Sequence, residues 1–212
     1  MGPDDVPAGS DARQIELSLV DPPAFGALFE RHAGSVYRYL VSRVGAQSAE
    51  DLVGETFVTA FRARSRYDLS RPDARPWLFG IATNLVRHHW RSQGRTSSAG
   101  FHADSGATAH DHSDDATSSV FFSSQHEHVA QALAQLDDAH LDVLLLVAGP
   151  GFTYEEVSVA LGIPIGTVRS RMSRARRRLR ELLGGPWQYL DGVHGDPQHQ
   201  EASAGLEGTN EH

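Results

Sequence analysis

Residues 152–183 read FTYEEVSVALGIPIGTVRSRMSRARRRLRELL, and the reading of this stretch decides the fold class. Thr153 offers a hydroxyl as a helix cap, and Glu156 stands three residues on, the spacing of a capping box. Val157, Ala160 and Leu161 follow as an apolar stripe, and Gly162-Ile163-Pro164 breaks the helix. A second helix starts near Gly166-Thr167. Wound at about 100° per residue, it places Val168, Met172, Ala175, Leu179 and Leu182 within about 40° of one line. Arg169, Ser170, Ser173, Arg174 and Arg177 fall on the opposite side. A helix, a short turn and a second helix with this surface form a groove-reading motif. Small serines let the helix approach closely, and the arginines reach guanine edges or phosphates. An ordinary amphipathic hairpin shares the periodicity but requires neither the cap nor the Arg/Ser face.

Upstream of this motif, Leu133, Leu136, Leu141, Leu144 and Leu145 supply apolar spacing for supporting helices. Residues 25–95 again show helical apolar spacing with few breakers. Between them, residues 96–127 are rich in Ser, Ala, Asp and His and read as a flexible linker. Residues 1–24 and 184–212 read as disordered acidic termini, with Gly184-Gly185-Pro186 stopping the last helix. No strand alternation or internal repeat is present. The expected fold is all-α: two small helical domains, 25–95 and 128–183, joined by a flexible acidic linker.

The formal net charge of -8 hides a segregation. All 19 basic residues are arginine; residues 25–95 hold eleven against six acids, and residues 128–183 hold seven against six. The three remaining segments carry five acids each and a single arginine, Arg13. The seven arginines of the second block all fall between Arg169 and Arg180. Clustered arginine is an electrostatic footprint for phosphate. Acidic segments compete with phosphate for those arginines, so the free chain is expected to bind duplex DNA poorly.

Two stretches of the first block carry further signal. In Ser48–Ala63, SAEDLVGETFVTAFRA, Ser48 and Asp51 have capping-box spacing, and Val53, Phe57, Ala60 and Phe61 form a core face. Asp51, Glu55, Val58, Thr59 and Arg62 point the other way, as a docking surface or a solvated face. In Arg75–Arg95, RPWLFGIATNLVRHHWRSQGR, aromatic residues interleave with arginine. Rings that stack on bases beside cations that hold the backbone suit single-stranded DNA. Trp77, Phe79 and Ile81 serve core packing equally well. Asn84 sits in mid-helix with both a donor and an acceptor, suited to a base edge.

The stretches AEDLVGETFVTAFRA and WLFGIATNLVRHHWR resemble the two signatures of region two in extracytoplasmic-function (ECF) sigma factors of bacterial RNA polymerase. YEEVSVALGIPIGTVRSRMSRARRRLREL resembles region four of the same family. The three stretches stand in the family's order, and the resemblance spans about 130 residues once the flanking parts of both regions are included. Alone, the C-terminal block fits other helix-turn-helix regulators. The resemblance implies promoter-directed initiation, with core RNA polymerase, promoter DNA and an anti-sigma protein as partners. It places Asp51, Glu55, Val58, Thr59 and Arg62 on the polymerase. It places Asn84, walled by Phe79, Ile81 and Ala82, at a flipped base of the minus-ten element, beside the loop from Tyr67 to Asp73. Arg87, Trp90, Arg91 and Arg95 follow the promoter strands. Thr167, Arg169, Ser170, Ser173, Arg174 and Arg177 match the reading surface for the minus-thirty-five element. Gly54 departs from the family's usual glutamine.

The exclusions agree with a binding protein. With no cysteine, thiol catalysis and cysteine metal sites are out. No phosphate loop, nucleophile elbow or paired-carboxylate pattern is present, so neither catalysis nor a cofactor is expected. His102, His110, His112, His126 and His128 lie in or beside the linker without metal-site spacing. No run approaches the ~18 apolar residues of a spanning helix, and no secretory leader is legible, so a cytoplasmic location is expected. The segment around Trp187, Tyr189 and Leu190 reads as an inert tail, with fold-back onto a DNA-binding face as the alternative.

Overall fold

The computed structural model describes residues 9–94 and 127–184. Every regular element among them is helical. The first half begins with α1 (Asp11–Ser18), a 3-10 turn (Pro22–Phe25) and α2 (Gly26–Val44). Then come α3 (Ala46–Ala63), a second 3-10 turn (Arg64–Arg66) and α4 (Arg75–Ser92). Gly45, at φ 78°, occupies the left-handed region and folds α3 back on α2 across one residue. Leu28, Val36, Leu40, Ala49, Phe57, Ala60, Leu78 and Val86 fill the space among α2, α3 and α4. Edge-to-face ring pairs, Phe25–Phe61 at 5.4 Å and Phe29–Phe57 at 5.0 Å, tie the start of α2 to α3.

Two expectations are corrected here. The described residues before Phe25 form a docked helix rather than a disordered segment. Ser10 caps α1, Ala12 and Ile15 are fully buried, and the Asp11 backbone N–H donates to the Pro72 carbonyl at 3.0 Å. The cluster of Pro, Asp and Gly around this helix masks an amphipathic turn. The Ser48–Asp51 capping box is also absent. α3 already starts at Ala46, behind Gly45, so Ser48 lies inside the helix.

The second half comprises α5 (127–134), α6 (Asp138–Ala148), α7 (Tyr154–Leu161) and α8 (Ile165–Leu183). Glu127, expected in the linker, opens α5. Asp137 caps α6 by accepting from the His140 backbone N–H at 3.1 Å. The Thr153–Glu156 capping box is complete in both directions. Gly162 and Gly184, at φ 63° and 64°, terminate α7 and α8 in the left-handed conformation. Leu141, Leu146, Val157, Val168, Met172 and Leu179 form the core of this half.

The two halves are not independent beads. α4 packs directly on α7, and one continuous core runs through both halves. Phe79 of α4 meets Phe152 edge-to-face at 5.2 Å. At Gly80 the α7 backbone comes so close that a Cβ would lie 2.4 Å from the Ala160 carbonyl oxygen. Asp142 of α6, fully buried, accepts from Arg43 Nη2 at 2.8 Å and from Arg87 Nη2 at 2.7 Å. Arg43 is itself fully buried.

Candidate nucleic-acid interface

On α8 the apolar stripe faces inward. Val168, Met172, Ala175 and Leu179 are buried, and Leu182 is half-buried. Arg169, Ser170, Ser173, Arg174 and Arg177 are exposed together on the other side, with Thr167 half-buried at their N-terminal end. Near the far end of the helix Glu181 pairs with Arg178 at 3.3 Å and with Arg177 at 3.9 Å. The surface left outward is a strip of guanidiniums separated by small hydroxyls, one helix wide. It suits insertion into a major groove.

On α3, Val53, Phe57 and Ala60 are buried, and Thr56 returns its hydroxyl to the Leu52 carbonyl at 2.7 Å. Asp51, Glu55, Val58 and Arg62 are exposed, with Thr59 half-exposed beside them. Val58 keeps 48% of its surface in contact with solvent, an apolar spot within a charged rim. That pattern matches the core-and-rim layout of a docking face.

The α4 surface requires corrections. Phe79 is 1% exposed and Ala82 fully buried, so neither walls an open pocket. Phe79 packs between Tyr39, at 5.3 Å, and Phe152. Trp90, 5% exposed, belongs to the core and has no free face for a base. Helical geometry explains the split. Phe79, Ala82, Val86 and Trp90 share the inward side, whereas Gly80, Asn84, Arg87 and Arg91 fall within about 60° of one line at 100° per residue. Asn84 and Arg91 are exposed on that line, and Ile81 is half-buried beside it. Arg87 points along it too, but both Nε and Nη2 donate to Asp142. Arg95 lies outside the described residues.

The loop preceding α4 is held firmly. The Tyr67 hydroxyl donates to the carbonyls of Arg71 at 2.7 Å and Asp73 at 3.1 Å. Trp77 rests against the Tyr67 ring at 4.9 Å. Asp11 staples the same loop from α1. Its carboxylate accepts from the Ala74 backbone N–H at 2.9 Å, from His32 Nε2 at 2.8 Å and from Arg31. Desolvation works to raise the Asp11 pKa, but these donors together outweigh it and hold the carboxyl below its ordinary value. Burial pushes the Tyr39 hydroxyl up to about 12. It stays protonated and donates to Thr83, whose own hydroxyl donates to the Phe79 carbonyl.

Sequence reasoning missed the groups that join the halves: Arg43, Gly80, Asp142 and Phe152. One signal was available. Asp142 is the lone acid within LDVLLLV, and an acid in such a run is either solvent-facing or paired. Among the described residues no group of three or more His, Asp or Glu gathers as metal ligands. His128 is exposed on α5; the other histidines of the linker, the acidic tail beyond Gly184 and the linker's acids other than Glu127 lie outside the described residues, whereas in the acidic head Asp11 pairs with Arg31. No helix among the described residues is long and apolar enough to cross a membrane.

The sigma-70 region 2 family model matches residues 28–96, and the sigma-70 region 4 model matches residues 132–181. The chain is 35% identical over 164 residues to RNA polymerase sigma factor CarQ of Myxococcus xanthus, covering 76% of this chain and 90% of that protein. It is 33% identical over 174 residues to ECF RNA polymerase sigma factor SigL of Mycobacterium tuberculosis, covering 81% and 96%. Among solved structures it resembles CnrH in complex with the cytosolic domain of CnrY, with TM-score 0.61, 27% identity and coverage of 82% and 97%. It also resembles the sigma factor RpoE in complex with the anti-sigma factor NepR from Bartonella quintana, with TM-score 0.56, 25% identity and coverage of 76% and 98%.

Proposed function

Because the chain belongs to the ECF sigma factors of the sigma-70 family and directs promoter-specific transcription initiation by RNA polymerase, we propose how its surfaces divide that work. The exposed side of α3, with Asp51, Glu55, Val58, Thr59 and Arg62, docks on the core enzyme. The outer strip of α8, with Thr167, Arg169, Ser170, Ser173, Arg174 and Arg177, enters the major groove at the minus-thirty-five element. Asn84, Ile81, Arg87 and Arg91 meet the opened minus-ten strand, with the loop from Tyr67 to Asp73 alongside. Phe79, Ala82 and Trp90 act only from beneath, by fixing the register of α4.

The observation that carries this reading is the clean sorting of α8. All of its predicted reading arginines are exposed, and Val168, Met172, Ala175 and Leu179 are buried. Footprinting of the reconstituted holoenzyme tests it. Alanine at Arg169 or Arg174 should weaken protection upstream while leaving core-enzyme binding intact, and loss of core binding instead would contradict the assignment. The chain works by binding, without catalysis of its own, and acts in the cytoplasm. A regulatory protein of the kind that holds RpoE and CnrH is the partner expected to compete with polymerase.

A further inference from the structure

We propose that Asp11 is a positioning residue for base selection at the minus-ten element: from the N-terminus of α1 it fixes the backbone of the loop that meets the opened strand. The inference rests on the assignment of the Tyr67–Asp73 loop to that strand. Four observations carry it. First, Asp11 grips the chain on both sides of Asp73. Its backbone N–H donates to the Pro72 carbonyl at 3.0 Å, and its carboxylate Oδ2 accepts from the Ala74 backbone N–H at 2.9 Å. Second, the grip comes from a fixed point. Asp11 is 4% exposed, His32 Nε2 holds the same Oδ2 at 2.8 Å, and Arg31 donates to Oδ1. Ala12 and Ile15 seat α1 in the core. Third, the loop is clasped again from within, by the Tyr67 hydroxyl on the carbonyls of Arg71 and Asp73. The carbonyls of Arg71, Pro72 and Asp73 and the N–H of Ala74 are therefore all engaged, with partners that alternate between Tyr67 and Asp11. Fourth, the tip itself stays open. Asp68, Ser70, Arg71 and Pro72 are exposed, and Asp68 closes the turn by accepting from the Ser70 backbone N–H at 3.1 Å and hydroxyl at 2.6 Å. A loop with a tied main chain and an open tip is ordered before the strand arrives. Base discrimination needs such order, because contact groups must be held to within about 0.5 Å. A cap for α4 alone would require neither the Pro72 contact nor the tie to α2.

The test uses holoenzyme reconstituted from core polymerase and the full chain, on a promoter found by mapping its start sites. Each base pair of the minus-ten and minus-thirty-five elements is replaced in turn, and the open-complex yield is expressed as a penalty relative to the parent promoter. In Asp11→Ala at least one minus-ten penalty should shrink by about fivefold or more, whereas the minus-thirty-five penalties stay within about twofold of the parent's. Asp11→Asn keeps one acceptor oxygen and should fall between the parent and Asp11→Ala. Val36→Ala opens a cavity in the core of the same half; it should lower stability and leave every penalty in place. Unchanged minus-ten penalties in both Asp11 variants overturn the proposal. Equal changes at both elements, or the same change in Val36→Ala, overturn it too, because Asp11 then acts only as a stabilising residue. So does failure of both Asp11 variants to assemble with core polymerase. A photo-reactive amino acid placed at Ser70 separates the proposal from the assignment beneath it. Residue 70 should cross-link to the minus-ten strand in the open complex. Absence of that cross-link sinks the assignment of the loop and the proposal with it, whereas cross-linking with unchanged penalties sinks the positioning role alone.

Discussion

Gly54 and Gly80 both interrupt long helices, and a methyl group added at each meets opposite surroundings. At Gly54 it meets nothing within 4 Å, on the exposed side of α3. Gly54→Ala should therefore raise stability by about 0.5–1 kcal/mol, read as a shifted urea midpoint with an unchanged slope. At Gly80 the packing of the second half takes precedence over helix propensity. Nothing local in the sequence distinguishes the two positions, because the partner of Gly80 lies eighty residues away at Ala160. Asp11 teaches the same lesson. Its three partners come from α2 and from the residue before α4, so composition alone makes it another acid in an acidic segment. Asp11→Asn should cost about 1–3 kcal/mol at neutral pH, since His32 and the Ala74 N–H lose a charged acceptor. The native Asp11 pKa lies below the ordinary 3.8. Its stabilisation is thus complete above that value and is lost as pH falls through the lower native one. Urea titrations of parent and variant at neutral and acidic pH should show the gap between them closing only at the acidic end.

At the scale of the element, what was legible was whatever a helix says about itself. The α8 face assignment follows from angular spacing alone, and the Thr153–Glu156 box from two residues three apart. The α3 faces were equally readable, whereas its start was not. Gly45 at φ 78° sets the boundary, and Ser48, which has the right chemistry for a cap, sits one turn too late. Phe79, Ala82 and Trp90 were misjudged because interleaved aromatic and arginine residues look the same whether the rings face a strand or a core. The 100° rule resolves them once the core side is known. Two outcomes test these faces. Arg174→Ala should lower affinity of the holoenzyme for promoter DNA by about 1–3 kcal/mol, measured by competition binding at fixed salt. Glu55→Arg should leave the thermal midpoint within a few degrees of the parent and slow association with core polymerase, with a reduced salt dependence of the on-rate.

At the scale of the whole molecule, two helical modules in order and an all-α class could be read from periodicity and charge segregation. Their mutual packing could not. It depends on one buried carboxylate, one glycine and one ring–ring contact, each linking residues far apart in the chain. Cooperative unfolding in a single calorimetric transition is the expected consequence of the shared core. The central claim is that this chain confers promoter choice on an enzyme that lacks it. The most direct measurement is multi-template run-off transcription with core polymerase, with and without the chain, followed by mapping of RNA 5′ ends. The account predicts discrete start sites that appear only with the chain, each preceded by a common pair of upstream elements. An unchanged pattern of starts, or no capture of the chain by core polymerase, would contradict it.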